Sequence, residues 1–327
     1  MFCTKKNIPP PLFPYIYKNQ KICGLGFLLM YYTCIIRKKV WLRFGALLIA
    51  IVLFAQGLAV IQQNFIFAGD AEKEITVPIL MYHSIFDNAH AGEAYVISTQ
   101  LFRQDMLYLK ENGYTSIFIA DLVNYVYEGT SLPEKPVIIT FDDGFLNNLV
   151  NALPILKELD MKAVISVIGI NSENHSKTID TNLSYAHLTW NDIKTLSDSG
   201  NIEIGNHTYD MHKNGERKGC RKKAGESTEQ YQAALRDDLA KLQKVLKDNA
   251  DVIPKVIAYP FGFYSKEGLP VIEELGFKAA LTCEEKVNYI SSNDPEKLFA
   301  LGRFNRSGNT STEVFMKKLM PEKKGTA

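Results

Sequence analysis

Pro136-Val137-Ile138-Ile139-Thr140-Phe141-Asp142-Asp143-Gly144 is an apolar run of strand length that ends on two adjacent carboxylates and a glycine. Its β-branched and aromatic content predicts a strand. Two anions side by side are costly unless a cation or a proton compensates. Gly144 permits the sharp turn that aims both side chains into one space. A bare Asp-Asp-Gly turn is more often a helix cap than a site, so its meaning rests on what surrounds it.

Working outward, residues 77–83, 115–119, 162–169, 202–206, 256–259 and 278–282 are further strand-like runs rich in Ile, Val and aromatics. Helical stretches fall between them. Ser98 offers an N-cap to a helix that Gly113 stops, and residues 147–159 fill the next gap. Thr189-x-x-Asp192 is a capping-box start to a helix ending at Gly200. Leu235, Leu239, Leu242 and Leu246 form a stripe on a helix near 228–248. This alternation implies parallel βαβ units, closed as a barrel or open as a wound α/β sheet. Either architecture places the site at the C-terminal strand ends. His83, Asp142, Asp143, His207 and Pro260-Phe261-Gly262 all follow directly on a strand.

The chain has 327 residues, 46% hydrophobic and 22% charged, enough for one large α/β domain or two small ones. Its net charge of +1 is uneven: residues 1–69 hold eight Lys/Arg and no Asp/Glu, leaving 29 basic against 36 acidic side chains in the rest. A body that acidic has no general basic field for nucleic acid, which excludes that partner class. Five scattered cysteines without a C-x-x-C support neither a disulfide framework nor a zinc ribbon, so Cys220 and Cys283 are expected as isolated thiols.

Residues 44–61 are apolar but for Gln56, close to the ~20 residues that span a bilayer. Arg37, Lys38, Lys39 and Arg43 precede them, which orients the N-terminus to the cytoplasm and the body outside. The expected organisation is a basic cytoplasmic segment at 1–43, a transmembrane helix at 44–62, a linker at 63–74, a catalytic domain at 75–320 and a tail at 321–327. A cleaved signal peptide with a long basic leader is the alternative, giving a secreted protein. Residues 213–227, with Lys213, Arg217, Lys218, Arg221, Lys222 and Lys223, read as a long surface loop.

Asn206-His207-Thr208-Tyr209-Asp210-Met211-His212 places two histidines five apart, just after a strand. That spacing does not stack on one helix face, so these are loop ligands rather than a helical H-E-x-x-H pair. One carboxylate with two imidazoles leaves an open position, the arrangement of a catalytic metal.

In their order, T-F-D-D-G at 140–144, H-T-Y-D-M-H at 207–212 and Y-P-F-G at 259–262 resemble the polysaccharide deacetylases with the NodB-homology domain (carbohydrate esterase family 4). The resemblance covers roughly residues 75–318. It implies a deformed (β/α) barrel that hydrolyses N-acetyl groups from a cell-surface or cell-wall polysaccharide containing N-acetylglucosamine. It makes Asp142 the catalytic base and Asp143, His207 and His212 the metal ligands. The Phe261 N–H after Pro260, in the run beginning at Tyr259, serves the oxyanion. Zinc is the default on ligand type, and cobalt or nickel suits the same N/O set.

Three departures narrow the match. Many members space the histidines four apart, which here would select Met211; five is similar to the poly-N-acetylglucosamine, intercellular-adhesin type. The arginine two residues before Pro260 is replaced by Ala258, leaving Arg303 or Arg306 to orient Asp142. No Leu-x-His follows residue 282, and Met81-Tyr82-His83 is similar to the arrangement in that subgroup whose acid precedes T-F-D-D-G. His83 is therefore expected as the general acid. Two rivals remain: a glycosidase, disfavoured because adjacent aspartates cannot flank a glycosidic bond, and a non-catalytic carbohydrate-binding protein on the same fold.

Overall fold

The structure is a computed structural model. It describes residues 74–87 and 94–319, together with residues 37, 43, 47, 49, 51–54 and 56, which are helical. Among the described residues no helix is long and apolar enough to cross a membrane. The expected span at 44–62 falls largely outside them.

The chain divides into residues 1–71 and 72–327, and the second unit carries the fold. It opens with β1 (Ile75–Val77), β2 (Ile79–Tyr82), β3 (Ser84–Ile85) and β4 (Val96–Ile97). Next come α1 (Thr99–Glu111), β5 (Thr115–Ser116), α2 (Ile119–Glu128), β6 (Pro136–Phe141), α3 (Leu153–Glu158) and β7 (Ala163–Val167). Then α4 (Gly169–Lys177), α5 (Trp190–Asp198), β8 (Ile202–Asn206), the long α6 (Thr228–Ala250) and β9 (Val256–Ala258) follow. α7 (Leu269–Glu274), β10 (Ala279–Leu281), β11 (Asn288–Ile290), β12 (Phe304–Asn305) and α8 (Thr312–Leu319) complete it.

The main sheet is parallel, in the order β10-β9-β8-β7-β6-β2-β12, with β5 beside the start of β6. It curls until one segment meets both edges. Leu301 N–H donates to Ala280 O at 3.0 Å and its carbonyl accepts from Thr282 N at 2.8 Å, while Phe304 and Asn305 pair with Leu80 and Met81. Residues 301–306 thus staple β10 to β2 in a barrel-like curl rather than an open wound sheet.

Period-two alternation sorts the side chains. Val137, Ile139 and Phe141 of β6 pack with the helices, including Leu242 and Leu246 of α6. Ile138 joins Ile79, Val164, Ala258, Leu281 and Leu301 in a separate cluster. Continuing the alternation, Thr140 and Asp142 share the face of Ile138, and Arg303 shares that of Leu301.

Local rules account for most elements. Ser98 Oγ accepts from Leu101 N at 3.1 Å and starts α1. Thr189 and Asp192 form the capping box of α5. The strand expected over 115–119 stops at Ser116, because the Asp121 carboxylate accepts from Phe118 N at 3.0 Å and begins α2 there. The helix expected over 147–159 is a π-wound turn at Asn148–Ala152 followed by α3.

At the opposite end from the strand-end aspartates, Glu203 near the start of β8 accepts from Ala120 N at 3.2 Å. Burial pushes its carboxyl up to about 7 despite the N–H groups of α2 that stabilise the anion. A raised folded-state pKa adds stability at low pH that is lost as pH climbs through the folded value. Melting temperature is expected to decline between pH 5 and 8, and Glu203→Gln to flatten that decline in a thermal-shift series. An unchanged slope removes Glu203 as its source.

Candidate active site

Asp142 follows the last residue of β6, and its N–H donates to Tyr82 O at 3.0 Å, so His83 and Asp142 leave neighbouring strands side by side. Asn148 Nδ2 donates to His83 O at 2.8 Å. Asn147 accepts from Ile85 N at 3.0 Å and donates to Ser84 Oγ at 2.7 Å, fixing the backbone after His83. The His83 ring lies 4.7 Å from that of Tyr95, and its buried Nδ1 has no protein partner.

Asp142 is 2% exposed and is gripped by Arg303, which is fully buried. Arg303 Nη1 and Nη2 donate to the two carboxylate oxygens at 2.7 and 2.8 Å. The guanidinium is itself held by Thr282 O at 2.9 Å and Thr140 Oγ1 at 3.2 Å. Burial would raise the Asp142 carboxyl, but Arg303 and His207 hold it well below the usual carboxylate range. Of the two arginines expected near the base, Arg303 occupies that place. Arg306 pairs instead with buried Asp105 at 2.7 Å, away from the site.

Asp143, His207 and His212 converge, with ligand atoms within 4.8 Å of one another. Asp143 Oδ1 lies 3.5 Å from His207 Nε2 and 3.4 Å from His212 Nε2, and makes no hydrogen bond although buried. His207 Nδ1–H donates to Ala258 O at 2.7 Å, which leaves the Nε2 lone pair for the cluster. Tetrahedral ligands with bonds of ~2.0–2.1 Å stand ~3.3–3.4 Å apart, so the separations fit one ion. A buried carboxylate oxygen without a donor, facing two imidazole nitrogens, is the chemistry of a divalent-metal site. Met211 packs instead against an apolar cluster with Tyr231 and Tyr259, so the five-residue spacing selects His212.

The loops that carry these groups hold unusual backbone conformations. Asp143, Thr208 and Phe261 have φ of 70°, 71° and 56°, a region that costs non-glycine residues energy and recurs at functional sites. The loop carrying His207 and His212 is held from outside: Asp238 of α6 accepts from Tyr209 N at 2.7 Å and Asp210 N at 2.8 Å. Asp238→Ala is expected to weaken divalent-metal binding at the candidate site ~10–100-fold through loss of this loop support, read by competition with a chromogenic chelator. Unaltered affinity would show that the loop holds without it.

Pro260 is buried, and the Phe261 ring lies 4.5 Å from that of His212. Tyr259, expected among the substrate-side residues, turns its ring into the core, stacked on Tyr264 at 4.7 Å. Only its backbone belongs to this turn, with its carbonyl accepting from Gly262 N at 2.8 Å. Cys220 and Cys283 are free thiols, as expected. Sequence reasoning missed Asp238, Asn147 and Asn148. An acidic side chain between Leu235 and Leu239 on the stripe of α6 was the available signal for the first.

The polysaccharide deacetylase family model matches residues 129–280. YxkH of Bacillus subtilis, a protein assigned to the polysaccharide deacetylases, is 31% identical over 245 residues, covering 75% of this chain and 76% of that protein. A poly-β-1,6-N-acetyl-D-glucosamine N-deacetylase of Staphylococcus aureus is 30% identical over 213 residues, covering 64% of this chain and 68% of that protein. A solved de-N-acetylase from Aggregatibacter actinomycetemcomitans superposes with a TM-score of 0.64 at 20% identity, over 75% of this chain and 100% of that one. With motifs, fold and relatives in agreement, the chain belongs to the polysaccharide deacetylase family.

Proposed function

We propose that the chain is a metal-dependent deacetylase of a poly-N-acetylglucosamine polymer, releasing acetate and leaving free amines. The observation that carries the reading is the pairing of two adjacent aspartates with different partners. Asp142 is locked by Arg303, while Asp143 faces His207 and His212. One carboxylate is thus arranged as a base and its neighbour as a ligand.

Asp143, His207 and His212 would hold a divalent ion, zinc by ligand type, which when bound would supply Lewis acidity toward the acetyl carbonyl and the attacking water. Asp142 accepts the proton of the attacking water. The Arg303 clamp occupies one lone-pair direction on each Asp142 oxygen and leaves others for that water. The Phe261 N–H donates to the developing oxyanion, a contribution of ~3 kcal/mol for such a donor. His83, in its protonated form, gives a proton to the departing nitrogen, without which an amine leaves poorly. Basic residues before the apolar stretch at 44–61 support a membrane-anchored, exported enzyme, which suits a surface-bound polymer.

Acetate release from purified poly-β-1,6-N-acetylglucosamine, peptidoglycan and chitin oligomers, with and without chelator, tests the reading. Release from the first polymer that stops with chelator and returns with zinc is expected. His83→Ala is expected to be nearly inactive on it while binding zinc normally. Release that ignores chelator, or reducing ends appearing without acetate, sinks the proposal.

A further inference from the structure

The aromatic contact at His212 continues outward. Phe261 is 42% exposed, its ring lies 6.2 Å from that of Phe263, and the Arg221 guanidinium stands 4.7 Å over the Phe263 ring. The loop carrying Arg221 is sewn onto this row. Cys220 N–H donates to Phe263 O at 3.0 Å and Lys222 N–H to Ser265 Oγ at 3.0 Å. Gly219, at φ 51°, permits the approach, since a Cβ there would come within 2.5 Å of Pro260 O. A loop that is merely solvated needs none of these bonds.

Its charges are also sorted. Lys213, Arg217, Lys222 and Lys223 pair with Asp210, Glu226, Glu267 and Glu216. Lys218 and Arg221, both exposed, have no carboxylate partner among the described residues. An exposed ring beside a candidate metal ligand is therefore followed by the uncompensated charge of Arg221, with that of Lys218 three residues earlier on the same loop.

The geometry points to a second sugar subsite on the Phe261–Phe263–Arg221 row. It takes an N-acetylated unit of the substrate strand beside the unit being deacetylated and rejects one already bearing an ammonium. The inference rests on the deacetylase reading. The exposed Phe261 ring offers a platform for the apolar face of a pyranose, with the Arg221 guanidinium on Phe263 beside it. An acetamido group is neutral, whereas deacetylation creates a cation that Arg221 and Lys218 repel, a specificity built from an unfavourable contact. Free amines would then be spaced along the product on that side rather than contiguous.

Titration calorimetry on zinc-loaded protein carrying Asp142→Asn, which prevents turnover, tests this. The ligands are a fully acetylated β-1,6-linked N-acetylglucosamine pentamer and the same pentamer acetylated only at its central unit. The first is expected to bind ~5–10-fold tighter at low salt, with the difference shrinking at high ionic strength. Reversing both charges, Lys218→Glu with Arg221→Glu, is expected to abolish or invert the preference without altering zinc affinity. Equal binding of the two pentamers, or a preference surviving charge reversal, overturns the subsite alone. Binding of neither, with no acetate released by the native chain, overturns the polymer assignment and the subsite together.

Discussion

Asp142→Asn is expected to bind its divalent metal as tightly as the native chain and to lose ~10²–10⁴-fold in acetate-releasing turnover, the range that a general base contributes. The separation of effects is the point. Asp143, His207 and His212 are untouched, so metal affinity has no reason to move, whereas the proton acceptor is gone. One new cost arises, because the amide NH₂ now faces the donors of Arg303, which previously met a carboxylate oxygen. A lower melting temperature should accompany the lost activity, and circular dichroism at the assay temperature establishes that the variant is folded. Native-like turnover would remove Asp142 as the base.

Arg303→Met is expected to be the most destabilising single change at the site. It strands a carboxylate that is 2% exposed, and breaking a buried pair by deleting one partner costs ~3–5 kcal/mol. Turnover should fall as well, since Asp142 loses the fork that orients it. Combining Arg303→Met with Asp142→Asn should recover part of the stability, because the second change removes the stranded charge. A double-mutant cycle from denaturant unfolding reads this coupling directly. Additive losses would mean that the two groups do not depend on one another.

Much of this site was legible because its signals are local. Apolar strand runs, Gly144 and the histidine pair each lie within a few neighbouring residues, and parallel α/β topology then places them at one end of the sheet. The partner of Asp142 was not local: Arg303 lies 161 residues away along the chain. Its role depends on where the curl of the sheet closes, which no short pattern encodes, so Arg303 stood only as a candidate with Arg306 as its alternative. Tyr259 was misplaced for a related reason. Residues next to a functional turn alternate in direction, and whether the ring or the backbone faces the site depends on the turn geometry. Asp238, Asn147 and Asn148 act through backbone groups, and a polar side chain near a helix end has many ordinary explanations.

The segment that staples β10 to β2 has a consequence for how the protein comes into being. Asp142, Asp143, His207 and His212 are all synthesised well before Arg303, so a growing chain holds the residues of the Asp143–His207–His212 cluster long before Asp142 has a partner. Asp142 meets its guanidinium only where the last stretch docks and shuts the sheet. Chains cut short of residue 303 would carry the Asp142 carboxylate without its guanidinium.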